Sequence, residues 1–487
     1  MPVDLTAVVL AAGAGTRMRS ARAKVLHGFS GRTLLGHGLA ALAELPPHRT
    51  VVVVGHERDA VQAELARLDP QAVAAVQTEQ RGTGDAVRVA LPDAVTGTVL
   101  VLPADAPLLR PATLATLVRR HREQSNAATL LTSIAADPDG YGRVVRGPDG
   151  TVTGIVEQAD ATEAQRDITE VATSVFAFAA AELHAALGRL RSDNAQGELY
   201  LTDVIAILAG DGRRIGSLRA PADETAGVNT RSQLAAAHRI YNARRLDELM
   251  DSGVSVIDPA TTWVDVGVLV EPDATLRPGV ELCGATVIGA GATIGPDVTL
   301  TDTVVGVGTR ISRTVSSGAR IGAGCEIGPF AYLRPGTELA DQVKIGTYVE
   351  VKGSDIGTGT KVPHLSYVGD ASIGEHTNIG AASVFVNYDG VTKQRSRVGS
   401  HARTGADNMF VAPVSIGDGA YTAAGSVIVQ DVPPGALGVA RARQRTIAGW
   451  VQRRRAGTAA AAAAIRQAAA PDEPADQPAP ATPEDDV

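Results

Sequence analysis

The stretch "LCGATVIGAGATIGPDVTL", Leu282 to Leu300, places an apolar residue at every sixth position: Leu282, Ile288, Ile294 and Leu300. Helices repeat near 3.6 residues and strands at 2, so this spacing belongs to neither. The beat extends both ways. It begins at Val264, Val270 and Leu276, and resumes at Ile321, Ile327, Leu333, Leu339, Ile345 and Val351. One-residue shifts give Ile356, Val362 and Val368, then Ile373 and Ile379. After an interruption it returns at Val398, Phe410, Ile416 and Ile428, with Thr404 and Thr422 holding the period. Gly follows many of these residues. A six-residue array predicts a parallel β-helix, in which each hexapeptide is a short strand plus a turn and its apolar residue points to the axis. Three hexapeptides close one triangular coil, giving about nine coils. The break "FVNYDGVTKQRSR", Phe385 to Arg397, predicts a loop protruding from the solenoid.

Upstream the rhythm differs. "TAVVLAAG", "TVVVVGH" and "TVLVLPAD" read as short strands ending in Gly or Asp, and "TLLGHGLAALAEL" and "RDAVQAELARL" between them carry a helical period. Strand and helix in alternation predict a mostly parallel, Rossmann-like α/β sheet covered on both faces. "TRSQLAAAHRIYNARRLDELMDSG", Thr230 to Gly253, predicts one polar connecting helix. The expected division is 1–231 for the α/β domain, 232–252 for the linker helix and 253–455 for the β-helix. The Ala-, Pro- and acid-rich tail 456–487 is expected to be disordered apart from a transiently helical Ala-rich piece.

Composition narrows the function. Of 487 residues, 52 are Gly, which suits an architecture of many tight turns, and only 3% are aromatic. Net charge is −8 without a basic cluster able to track a nucleic-acid backbone, so nucleic-acid binding is not expected. Two cysteines far apart, Cys283 and Cys325, fit a reducing cytosol and make no zinc framework. The apolar start lacks a basic leader, and no run reaches the ~18 apolar residues of a membrane span. A cytoplasmic chain is expected.

The first strand runs into a Gly-rich loop, "VVLAAGAGTRMRSARAKVLH", Val8 to His27. It is neither a Walker loop, since no Gly-Lys-Ser/Thr closes it, nor a dinucleotide fingerprint, since the third Gly is missing. Ala11, Ala12, Gly13 and Gly15 let backbone N–H groups approach a nucleotide, and Arg17 and Lys24 can face its phosphates. Asp105 ends an apolar strand, where open sheets bind ligands.

"LAAGAGTRM…KVLH", "QRGTGDA", "GYGRVV", "GIVEQADAT", "NAQGELYLTDVI" and "AGVNTRSQL", followed by hexapeptide repeats, resemble one family over about residues 5 to 455. It is the bifunctional N-acetylglucosamine-1-phosphate uridyltransferase/glucosamine-1-phosphate N-acetyltransferase family. The resemblance implies a left-handed β-helix that acetylates glucosamine 1-phosphate with acetyl-CoA, and a front domain that joins the product to UTP. UDP-N-acetylglucosamine, a precursor of bacterial cell-wall polymers, results. It implies that Leu10, Ala11, Ala12 and Gly13 contact uridine, that Gln77, Gly82 and Thr83 read uracil, and that Arg17 and Lys24 neutralise phosphate charge. Gly142, Glu157 and position 172 would meet the sugar, and Asp105 and Asn229 would hold Mg²⁺. On the β-helix it implies His364 as general base, oriented by Glu350. Arg334 and Lys352 would bind phosphate, and Tyr367 and Asn378 the sugar. Asn387, Tyr388 and Lys393 on the protruding loop would reach a substrate on a neighbouring subunit. Ala381, Ala406, Ala424 and Arg441 would line the acetyl-CoA groove together with Asn387 and Tyr388. A homotrimer is implied.

The chain departs from the family pattern at several points. Ala104 stands where Gly is common, with a Cβ expected to crowd the nucleotide. Ala172 replaces a sugar-contacting Asn, Ala23 replaces Pro before Lys24, Asp85 replaces His, and Ala406 replaces Ser. Three other readings remain, and the long β-helix carrying "HLSYVGD" and "NYDG" disfavours one of them, a one-step mannose- or glucose-phosphate nucleotidyltransferase. An impaired front domain could serve as a scaffold for an acetyltransferase, and histidines of a hexapeptide helix could bind zinc. Against the scaffold, Arg17, Lys24, Asp105 and Asn229 are all retained. Against zinc, His364 sits two residues after its repeat apolar residue, whereas His376 and His401 sit three after theirs.

Overall fold

The computed structural model describes residues 4–91 and 95–469. The α/β domain is built on a sheet whose spatial order is Ile215–Arg219, Ala128–Ile134, Glu170–Ala179, Thr98–Pro103, Leu5–Ala11, Arg49–Val54, Val73–Val76. Glu170–Ala179 runs antiparallel to both its neighbours, and the other pairings along this path are parallel. The first strand explains the apolar run "TAVVLA": Ala7, Val9 and Ala11 enter the core on one face, while Val8 and Ala12 enter the core on the other. A strand buried on both faces has no polar side to show. Its flanking strands, Arg49–Val54 and Thr98–Pro103, lie on opposite sides of it. Loops leaving the carboxyl ends of Leu5–Ala11 and Thr98–Pro103 therefore diverge and open a crevice, where ligands of open sheets bind.

The hexapeptide array forms a left-handed parallel β-helix of three sheets with seven, ten and nine strands. Strands pair with the third strand on, so each coil contributes one strand to each sheet. The periodic residues fill the axis. Leu276, Leu282, Ile288, Ile294, Leu300, Leu333, Ile345, Val351, Val362, Val368 and Ile379 are fully buried in one continuous core, with Val270 partly buried against it. Buried hydroxyls bind the coils together: Thr286, Thr337, Thr360 and Thr377 each donate to a carbonyl of the following coil. Phe385, expected in the protruding loop, instead packs inside the prism against Phe410, with ring centroids 4.9 Å apart. An apolar ring at the repeat phase stays in the core, so the excursion starts after Val386.

Between the two folds runs the helix Arg231–Asp251. Leu246 and Leu249 close the open end of the prism, and buried Asn242 pairs with the first coil. Its amide donates to Thr262 O at 2.7 Å and its Oδ1 accepts from Val264 N at 3.1 Å, which satisfies an edge that would otherwise invite pairing. Within the tail expected to be disordered, Ala459–Ala469 form a helix, as Ala propensity favours; residues 470–487 lie outside the described residues. Among the described residues no helix is long and apolar enough to cross a membrane.

Because the prism core is one file of stacked side chains, Ile294→Ala should cost ~2–5 kcal/mol of unfolding free energy by denaturant titration. A loss below ~0.5 kcal/mol would contradict the packing described.

Candidate active sites

The crevice of the α/β domain gathers residues far apart in sequence. The Lys24 ammonium donates to Asp105 Oδ2 and, at 3.0 Å, to Asn229 Oδ1. Three local features produce this meeting. Asp105 leaves the Thr98–Pro103 strand, and its carbonyl accepts from Val228 N at 2.8 Å, bringing Asn229 alongside. The linker helix begins with a capping box at Thr230, and the Gln233 side chain also accepts from Asn229 N at 2.8 Å. Gly15, at φ 60°, lets the Lys24 stem lie on the glycine loop; a Cβ there would come within 2.6 Å of the Lys24 Cβ. Arg17 is exposed in the short turn Thr16–Met18 and makes no ion pair among the described residues.

Two oxygen donors aimed at one cation fit a divalent ion of the hard class, which keeps water and phosphate as its other ligands. The ammonium of Lys24 supplies positive charge at the same two oxygens.

Gln77 is buried, and its amide donates to Gly82 O at 3.1 Å and Asp85 Oδ2 at 3.0 Å. Both amide hydrogens are thus committed, leaving Oε1 as the acceptor Gln77 offers. Asp85 is also held by Arg88 at 2.5 Å. The departure at Asp85 therefore orients a neighbouring polar group. Thr83 accepts from Leu201 N at 3.0 Å, which keeps its own O–H free to donate. Leu10 is partly buried, Ala11 and Ala12 are buried, and Gly13 is open to solvent.

Elsewhere in the α/β domain Ala172 N donates to Gly142 O at 2.9 Å, and a Cβ on Gly142 would lie 3.4 Å from both Glu157 carboxylate oxygens. Burial pushes the Glu157 carboxyl above its usual range; a hydrogen bond from Thr202 at 2.9 Å opposes this, and Asp203, Asp160 and Glu198 add to it. Ala104 corrects an expectation. It is fully buried, packed in the core with Leu35 and Leu102, so its Cβ does not point at a nucleotide. Ala23 is likewise buried, and its amide donates to Glu57 at 2.8 Å.

On the prism, Lys352, Asp370 and Asn387 form a cluster that sequence reasoning only partly found. Lys352 Nζ reaches both Asp370 oxygens at 3.0 Å, and the Asn387 amide donates to Asp370 Oδ2 at 2.5 Å. Burial raises the Asp370 carboxyl, but bonds from Lys352 and Asn387 and the charge of Lys393 outweigh it and hold it below its usual range. Asn387 is buried and anchors the loop inward rather than reaching out from it. Tyr388 is exposed, its hydroxyl on Gly390 O at 2.7 Å, and Tyr388 bridges Lys393 across the loop. Arg334 donates to Glu350 at 2.9 Å. Glu350 is paired there and makes no hydrogen bond to His364, so the orienting role expected of it is not seen. Tyr367 stands between Glu350 and Val384 in the ladder, and Asn378 bridges Lys361 and Arg403.

His364 is exposed at the end of the strand Lys361–His364. Its carbonyl accepts from Ala382 N, the carbonyl of Ala381 from Asp407 N, and that of Ala406 from Gly425 N. His364, Ala381, Ala406 and Ala424 therefore stand in one column along a corner of the prism. Small residues there leave room for an extended ligand. Arg441 is exposed beyond the last of these coils. His376 and His401 stack on each other at 5.4 Å.

A family model described as a MobA-like NTP transferase domain matches residues 7–201. The chain is 58% identical to the bifunctional protein GlmU of Streptomyces avermitilis, over 94% of this chain and 96% of that protein. It is 56% identical to that of Thermobifida fusca, covering 96% and 98%, and 54% identical to that of Mycolicibacterium gilvum, covering 95% and 94%. Identity of this level over at least 94% of the chain spans both folds, and the chain belongs to the GlmU family of bifunctional enzymes, which join a nucleotidyltransferase to an acetyltransferase.

Proposed function

We propose that the chain makes UDP-N-acetylglucosamine in two steps, acetyl transfer on the prism followed by uridyl transfer in the crevice. The observation that carries the reading is the convergence of Lys24, Asp105 and Asn229, residues up to 205 positions apart, on one point at the carboxyl end of the sheet. On the prism, the amine of glucosamine 1-phosphate attacks the thioester carbonyl of acetyl-CoA, the amine proton passes to His364, and the CoA thiolate leaves. His364 is exposed to solvent, and an imidazole is the side chain that most often serves as general base. Lys352, Arg334 and Lys393 face the phosphate, and Tyr367 and Asn378 the sugar. The column of Ala381, Ala406 and Ala424, continued by Arg441 and bordered by Tyr388, takes CoA. Asn387 acts by setting Asp370 and the loop.

In the crevice, a phosphate oxygen of N-acetylglucosamine 1-phosphate attacks the α-phosphorus of UTP and pyrophosphate departs. The protein's task is positioning and charge neutralisation. Arg17 and Lys24 balance the phosphates, Leu10 to Gly13 hold uridine by the backbone, and Gln77, Gly82 and Thr83 meet the imide edge of uracil. Glu157 and Gly142 face the sugar, with Ala172 offering only its backbone. Asp105 and Asn229 would hold Mg²⁺, which when bound supplies charge neutralisation on the phosphate oxygens. A homotrimer is supported by an exposed apolar file on one corner of the prism, where Phe330 stacks on Tyr348 at 5.3 Å beside Leu365. Reduced cysteines support a cytoplasmic location.

A paired assay tests this. His364→Ala should lower CoA release by about 10²-fold or more and leave pyrophosphate release intact. Asp105→Ala should do the reverse, and chelation of divalent ions should stop only pyrophosphate release. One lesion silencing both reactions would refute two separate sites. Because Glu157 titrates above the ordinary carboxylate range, lowering pH should protonate it early and weaken its acceptance of a sugar hydroxyl. KM for N-acetylglucosamine 1-phosphate should therefore rise on acidification, and Glu157→Gln should flatten that dependence; an unchanged profile would remove Glu157 from the sugar site.

A further inference from the structure

Ala23 is tied at both ends. Its carbonyl accepts from Leu26 N at 3.0 Å, closing the turn Lys24–Leu26, and its buried amide donates to Glu57 Oε2 at 2.8 Å. Lys24, the next residue, leaves this turn to reach Asp105 and Asn229. Glu57 itself is unusual. It precedes the helix Arg58–Leu68 in a left-handed conformation, φ 48°, and its carboxylate makes no hydrogen bond to the amides of its own helix. A non-Gly residue held there is strained, and strain of this kind persists where the surrounding structure imposes it. Here the segment is pinned to the glycine loop: His56 N donates to Ala12 O at 3.2 Å, and a Cβ on Gly55 would lie 2.9 Å from that same oxygen. The carboxylate bonds no amide of its own helix and is aimed across to the Lys24 turn.

We propose that Glu57 is a positioning residue for nucleotidyl transfer: by accepting the Ala23 amide it holds the turn that carries Lys24 against the glycine loop. The inference rests on the reading of Lys24 as a phosphate-facing cation. Ala23 has φ −51° and ψ 136°, a conformation proline also adopts. A ring there would fix the turn covalently and remove the donor, so in this chain the bond to Glu57 does what a proline would otherwise do. A displaced cation matters most when charge builds on the phosphates, so loss of the bond acts on kcat more than on KM.

The experiment uses the full chain and reads pyrophosphate release, CoA release and thermal midpoint together. Glu57→Gly should lower kcat for pyrophosphate release about tenfold. CoA release should stay at the wild-type rate, and the thermal midpoint should hold, since glycine relieves the left-handed strain. Glu57→Gln, which keeps an acceptor, should restore most of the rate. In an Ala23→Pro background, Glu57→Gly should change the rate less than twofold, because the donor is already gone. A full-sized loss in that background, or wild-type kcat in Glu57→Gly alone, would overturn the proposal. Lys24→Ala is the companion: wild-type pyrophosphate release in that variant would overturn the reading of Lys24 and the proposal with it, whereas a crippled Lys24→Ala beside an intact Glu57→Gly would overturn the role of Glu57 alone.

Discussion

Two oxygens, one from Asp105 and one from Asn229, face the same point at the mouth of a parallel sheet, and both are bonded to one ammonium. Much of the α/β domain exists to arrange this. The strand order sends the loops after Ala11 and Pro103 apart, the Asp105 carbonyl draws in Val228, and the capping box of the linker helix fixes the backbone of Asn229. A carboxylate and a cation at partial burial are costly apart and stable together, so the constellation holds itself together. It is a seat for positive charge, and under the proposed function it lies where the phosphates would be neutralised.

The prism solves a different problem. Acyl transfer between two diffusing substrates needs a rigid surface on which polar groups from several coils meet. Strands stacked coil on coil provide that spacing: Lys352 and Asp370 are one coil apart, as are Asp370 and Asn387, and the three converge because the solenoid has no freedom to slide them. The linker helix serves both halves. Its first turn fixes Asn229, and its last apolar residues, Leu246 and Leu249, seal the prism.

The six-residue beat was readable because only one geometry returns every sixth side chain to an axis, and nearly every residue named from it is buried there. Phe385 shows the limit. The polar run that starts at Asn387 predicts a loop from Phe385 on, yet Phe385 keeps phase with Phe410 and stays inside. Asp370 falls off the apolar phase and so carries no periodic signal; its opposite charge to Lys352 one coil away is the one mark the sequence bears. Whether Ala104 faces ligand or core depends on strand direction and sheet packing, which spacing alone does not give. Glu57 had no local signal at all, since its partner lies 34 residues away and its role is visible only as a carboxylate turned from its own helix.

If the Asp105–Asn229 pair is a cation seat that Lys24 fills in the free chain, ammonium and divalent ion compete for it until phosphate arrives between them. Water-proton relaxation with Mn²⁺ as the probe, without nucleotide, measures this directly. The account predicts weak Mn²⁺ binding to the unaltered chain, tighter binding to Lys24→Ala, and loss of that gain in Lys24→Ala combined with Asp105→Asn. Equal Mn²⁺ affinity in the unaltered chain and Lys24→Ala would contradict it.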